Sequence, residues 1–190
     1  MTIYPLLERY LLLLPCLLGW ATAATASGQP LLQTVDQVNL DRYVGTWYEV
    51  ARLPNRFQDH CSGDVTADYR RLDDGTVEVV NRCLDRHGVM DEARGVARIV
   101  DTSSNAKLEV SFVALFGWHL FWGDYWILGL GRDYEYAVIG EPDRDYGWVL
   151  SRTARLPEAG WDQVRRVLTS NGYDPDRFLR TRHGAMPSSD

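Results

Sequence analysis

The sequence contains no run of lysine and arginine interleaved with aromatics, the arrangement needed by a face that tracks a nucleic-acid backbone. Its formal charge is −6, so the surface does not attract phosphate and no nucleic-acid partner is expected. It lacks a phosphate-binding P-loop, a dinucleotide fingerprint and a nucleophile elbow, which removes the common signatures of nucleotide and hydrolase chemistry. It shows no internal repeat and no change of composition that would mark a second domain. Its longest apolar run is too short to span a bilayer comfortably.

What is present is aromatic and strand-forming. Aromatic residues make up 12% of the chain, with 7 Trp and 10 Tyr, the composition of barrels and ligand pockets, where rings cover much area with few rotors to freeze. A chain of 190 residues is long enough to bury a substantial core.

The N-terminus reads as a targeting segment. Arg9 precedes the apolar stretch from Tyr10 to Leu18, small residues follow, and Ala24-Thr25-Ala26 offers a cleavage site before Ser27. Residues 1–26 are therefore expected to be a signal peptide, 27–38 a polar lead-in, 39–182 the folded domain and 183–190 a disordered tail. Export to the periplasm or the outer membrane follows. A lipid anchor at Cys16 is the competing fate, although Leu13-Leu14-Pro15 fits a lipobox poorly.

Removal of the leader leaves Cys61 and Cys83. An even count in an exported chain points to a disulfide. The two cysteines flank the hairpin centred on Asp74-Gly75, and closing a loop of about 20 residues stabilises by roughly 3 kcal/mol in the chain-entropy picture. The alternatives are two free buried thiols, or a zinc site using His60, Cys61, Cys83 and His87, whose spacing matches no compact ligand pattern. No metal and no cofactor is expected.

Asn39 to Tyr43 reads as a capped helical turn. Eight strand-like segments follow: 46–53, 63–72, 76–83, 89–100, 107–113, 124–130, 134–140 and 146–153. Several alternate, as in Leu108, Val110 and Phe112. The links are of hairpin length, which predicts an antiparallel meander. Eight strands is the number at which such a sheet closes around one small ligand. From Pro157 to Asn171 the period changes: Trp161, Val164 and Leu168 fall on one helical face and Gly172 supplies the stop. The fold class is all-β, an eight-stranded antiparallel up-and-down barrel with one C-terminal α-helix packed outside; Phe178-Leu179-Arg180 adds a short final strand.

The order and spacing of several motifs resemble the lipocalins. These are Gly45-Thr46-Trp47-Tyr48-Glu49-Val50-Ala51-Arg52, Pro54-Asn55-Arg56-Phe57, Gly131-Arg132-Asp133-Tyr134, Gly140-Glu141-Pro142 and Trp148-Val149-Leu150-Ser151-Arg152-Thr153. The chain is most similar to the bacterial branch related to apolipoprotein D, of the outer-membrane lipoprotein type, from about Leu40 to Phe178. The resemblance implies that Gly45, Trp47 and Arg152 are fold-signature residues, with Trp47 closing the barrel floor and Arg152 lying across it. It implies binding, storage or transport of lipophilic small molecules, with fatty acids or lysophospholipids as the ligand class, by a monomer or dimer.

Strand alternation gives the expected ligand-binding residues: Ala51, Tyr69, Val110, Phe112, Trp126, Leu128, Tyr136 and Val138, with Phe57 in the first mouth loop and Arg52 or Arg56 for a charged head. The stretch from Ala114 to Gly123 departs from the family pattern. Phe116, Trp118, Phe121 and Trp122 there are expected to gather at the barrel mouth as a membrane or lid contact; the plainer alternative is a hairpin whose rings pack on the barrel. No catalytic residue is expected. A lipocalin-fold enzyme would need an acid–base pair in the cavity, for which Glu49, expected near the barrel floor, is the one carboxylate to watch, its plainer reading being a buried hydrogen-bonded structural residue; a protein-interaction module using the aromatic mouth is the third class.

Overall fold

A computed structural model describes residues 30–116 and 118–184; the expected signal peptide and Cys16 lie outside the described residues. A short helix α1 (Leu40–Tyr43) opens the domain. Asn39 caps it, its Oδ1 accepting from the backbone N–H groups of Asp41 and Arg42 at 3.0 and 3.2 Å. Gly45 then takes a φ of +94°, a left-handed setting that costs glycine little and lets the chain turn from helix into strand.

Eight strands form the barrel: β1 (Gly45–Arg52), β2 (Cys61–Arg71), β3 (Val77–Asp85), β4 (Met90–Ile99), β5 (Lys107–Ser111), β8 (Gly123–Leu130), β9 (Tyr136–Gly140) and β10 (Gly147–Ser151). Each pairs antiparallel with the next, and β10 returns to pair with β1, Glu49 opposite Leu150. The sheet is closed, so its long edges are paired. Between β5 and β8 a separate hairpin rises, β6 (Val113–Leu115) and β7 (Trp118–Leu120), with Leu115 opposite Trp118. The expected strand 107–113 is thus broken at Phe112. β11 (Leu179–Arg180) adds to the outer half of β1, where β1 and β2 have parted.

There are two cores. One fills the lower barrel, around Trp47, Val79, Leu108, Ile127 and Leu150. The other lies outside the wall, where α2 (Glu158–Ser170) sets Trp161, Val164 and Leu168 against Leu128, Val138 and Val149. The apolar face of α2 is the one its period of three and four predicts. The Cys61–Cys83 disulfide is formed, Cα atoms 5.6 Å apart, and ties the start of β2 to the end of β3. The lead-in is not loose: Val35 N–H donates to the Ile127 carbonyl, Val38 N–H to that of Ser104, and Val38 is buried. Residues 183 and 184, expected to open a disordered tail, are held by the domain. His183 is held by the Glu49 carbonyl at 2.7 Å, and Gly184 N–H donates to Asp64.

Candidate functional site

The barrel encloses a cavity of about 750 Å³, within the range of small-molecule sites. Its wall comes from alternate strand positions: Ala67 and Tyr69 of β2, Val79 of β3, Ala97 of β4, Leu108 and Val110 of β5, Ile127 of β8 and Leu150 of β10. Partners across a ladder point to one side of the sheet, so Leu108 opposite Tyr125 and Tyr69 opposite Val79 carry the lining from strand to strand.

The deep end is closed by Trp47, which is fully buried. Its indole N–H donates to the Tyr43 carbonyl at 2.8 Å. The Arg152 guanidinium lies 3.8 Å from the Trp47 ring centre and donates to the carbonyls of Arg42, Tyr43, Val44 and Thr46. A cation on a ring face, with its remaining donors satisfied by backbone, seals the floor without a buried unpaired charge. Just above, three phenols meet: the Tyr125 hydroxyl lies 2.7 Å from that of Tyr43 and 2.9 Å from that of Tyr69.

The opposite end is the mouth. Phe57, Tyr146 and Trp148 form a ladder of rings, with centres 5.4 and 6.1 Å apart in succession. Glu49 is buried in the wall below them. One of its oxygens accepts from Arg52 at 2.8 Å and from the Thr181 hydroxyl at 2.5 Å; the other accepts from the Gln58 amide at 2.6 Å. Gln58 in turn accepts from the Trp148 indole N–H at 2.9 Å. Glu49 therefore stands on the mouth side of Trp47, not at the floor, and its lone pairs hold the first mouth loop rather than a proton for transfer. His60 Nε2 lies 3.7 and 3.8 Å from the sulfurs of Cys61 and Cys83. Those sulfurs are joined to each other, which removes the thiolates a zinc site would use.

The hairpin β6–β7 stands above this mouth. It is a hairpin, as the plainer alternative has it, but its rings do not pack on the barrel: Phe116 is 93%, Trp118 77% and Phe121 83% exposed. Trp122 differs. It is half-buried, lines the upper cavity and carries the Arg98 guanidinium 4.2 Å from its ring centre.

Of the residues expected to line the cavity, Tyr69, Val110, Phe112 and Phe57 lie in its wall or rim. Ala51, Leu128, Tyr136 and Val138 do not; they point outward into the core beneath α2, and Trp126 packs against that core. Arg52 is bound to Glu49 and is no part of the lining. Two physical causes account for the reversals. A bulge at Val50 shifts the register between Glu49 and Ala51 and turns Ala51 to the outer face opposite Val149. In β8 and β9 both faces are covered, one by the barrel interior and one by α2, so apolar character runs continuously and alternation does not mark the inner side. Tyr43 and Tyr125 were missed, as were Ala67, Val79, Ala97, Ile127 and Leu150 of the wall. Leu108, on the same strand face as Val110 and Phe112 by alternation, sits opposite Tyr125; the inserted hairpin hides that register from loop length.

Comparison with known proteins places this geometry. The lipocalin-like domain family matches over residues 38–183. Temperature-induced lipocalin-1 of Arabidopsis thaliana is 36% identical over 159 residues, 82% of this chain and 85% of that protein. Outer membrane lipoprotein Blc of Vibrio cholerae is 36% identical over 172 residues, covering 90% of this chain and 95% of the relative. Apolipoprotein D of Mus musculus is 31% identical over 179 residues, 86% and 90% of the two chains. Among solved structures, insecticyanin from the tobacco hornworm Manduca sexta superimposes with a TM-score of 0.66 at 23% identity, over 82% of this chain and 86% of its own.

Proposed function

Because this chain belongs to the lipocalin-like family, we propose that it binds and carries lipophilic small molecules, fatty acids or lysophospholipids, in the bacterial cell envelope. The observation that carries the reading is the cavity itself: about 750 Å³, walled by aliphatic and aromatic side chains, with its floor closed and its rim at Phe57 and Phe121 exposed. Such a space removes an alkyl chain from water at roughly 0.8 kcal/mol per methylene. Arg56, exposed on the mouth loop, is the cation we assign to a carboxylate or phosphate head, since Arg52 is held by Glu49.

Envelope location rests on the leader expected from the N-terminal sequence and on relatives named as outer membrane lipoproteins. Membrane contact rests on the exposed rings of the β6–β7 hairpin, which place apolar area beside the entrance. A binder is favoured over an enzyme because the buried carboxylate in the wall, Glu49, is saturated by Arg52, Gln58 and Thr181.

Trp148 and Trp122 line the cavity and serve as reporters. Titration with palmitate or lysophosphatidylcholine is expected to change tryptophan emission saturably, at one ligand per barrel, in the micromolar range. Native mass spectrometry of protein purified from envelopes is expected to show a co-purified lipid. A flat titration with both ligands, together with an unliganded mass, would overturn the carrier reading.

A further inference from the structure

We propose that the three phenols at the deep end of the cavity form a hydrogen-bond-donating subsite for an uncharged carbonyl oxygen carried on the buried end of the ligand. The inference rests on the carrier reading and narrows its substrate class to oxygenated chains.

The argument begins with a count of protons. Three hydroxyls bring three protons, and the two bonds that join Tyr43, Tyr125 and Tyr69 use two of them. However the bonds run, one hydroxyl keeps a free proton. If Tyr43 donates to Tyr125 and Tyr125 to Tyr69, the free proton is on Tyr69; in the reverse sense it is on Tyr43; if both end hydroxyls donate to Tyr125, it is on Tyr125. Among the described residues none of the three hydroxyls has a further hydrogen-bond partner. A buried donor without an acceptor is unfavourable, and all three residues line the cavity. The missing acceptor therefore comes from whatever fills it.

The surroundings specify the acceptor. The phenols come from three separate elements, α1, β2 and β8, and converge within a cluster built from Trp47, Leu108 and Ile127. The nearby cation, Arg152, lies across the Trp47 ring with its donors on backbone carbonyls. A carboxylate pushed to this depth would lose its hydration and gain no direct ion pair. A ketone or ester carbonyl loses far less and accepts one bond well. Burial also pushes each phenol above its ordinary range, Tyr69 to about 12, so the cluster stays a donor at neutral pH. Phenylalanine at all three positions would fill nearly the same space and leave no proton seeking a partner.

The test uses the whole mature protein and paired ligands. Affinities of straight-chain fatty acids from dodecanoate to octadecanoate are compared with those of the same acids bearing a ketone one carbon from the methyl end. At the length that sets the ketone against the phenols, the oxo acid is expected to bind roughly 3- to 10-fold more tightly than its parent, the gain of one hydrogen bond. In the variant Tyr43→Phe/Tyr69→Phe/Tyr125→Phe the ratio of the two affinities is expected to fall to about one, because donors and acceptors are removed together. Equal affinities at every length in the wild type, with the parent acids bound, would overturn the subsite and leave the carrier reading intact; failure of all the acids to bind would remove both. A preference that survives in the triple variant also overturns it. Should that variant not fold, the infrared carbonyl stretch of the bound oxo acid decides: a shift below its position in an alkane solvent supports the subsite, and no shift refutes it.

Discussion

A phenol sealed in an apolar wall resists ionisation, because its anion would give up hydration and gain little in return. Burial is the leading cause of the raised values at Tyr43, Tyr69 and Tyr125, and it also pushes Tyr173, beneath the wall, up to about 12. An unfolded tyrosine titrates near 10, whereas folded Tyr69 titrates at about 12. Between these values the unfolded chain binds fewer protons than the folded one, so stability is complete below about pH 10 and falls as pH rises toward 12. The melting temperature is expected to drop steeply between about pH 10 and pH 12, and the triple phenylalanine variant is expected to drop less over the same interval, with Tyr173 still contributing. Identical slopes would mean that the cluster is hydrated in the folded state. Individual residues of this kind were only half legible. Val110, Phe112 and Trp47 declared their roles through alternation and motif. Ala51, Trp126, Leu128, Tyr136 and Val138 did not, because a bulge and a doubly covered wall are products of tertiary packing.

Elements were more legible than residues, because each is written in a local period that packing then reinforces. α2 is the clearest case. Trp161, Val164 and Leu168 face the barrel as their spacing predicts, and Gly172 ends the helix with φ +76°. The Tyr173 N–H donates to the Leu168 carbonyl and the Gly172 N–H to that of Thr169, both at 3.0 Å, the paired bonds of a Schellman stop. A side chain at Gly172 would meet both penalties of this position: the left-handed backbone, and a Cβ 3.1 Å from Arg144 Nε and 3.3 Å from Pro30. Gly172→Ala is therefore expected to lower stability by about 1–2 kcal/mol, read as a lower urea midpoint with an unchanged slope. A neutral substitution would show that the helix end relaxes freely. The inserted hairpin β6–β7 was the element least legible: its aromatic run is apolar on both faces, so its period does not say where its rings point.

At the scale of the whole molecule, the barrel has two ends with opposite tasks. The floor is finished by groups that satisfy one another, Trp47, Arg152 and the carbonyls of α1. The mouth is left unfinished: Phe57, Phe116, Trp118 and Phe121 are largely exposed around the entrance, in a protein whose net charge of −6 would otherwise keep it in water. Aromatic rings at one end of a lipid-sized cavity suit the bilayer interface, where a ring can bury its face and keep an edge wet. A ligand passing from bilayer to barrel there would cross less water. The structure also says which rings to change. Trp122 belongs to the cavity wall beneath Arg98, so altering it would confuse ligand binding with docking. Trp118→Ser and Phe116→Ser leave the wall alone. Together they are expected to weaken sedimentation with phosphatidylethanolamine–phosphatidylglycerol vesicles roughly tenfold or more, from the lost transfer of two rings. Palmitate affinity measured without vesicles is expected to hold. Unchanged vesicle binding by a folded double variant would return the hairpin to the role of a lid, and transfer from vesicles would then proceed through water at a rate set by the free ligand concentration.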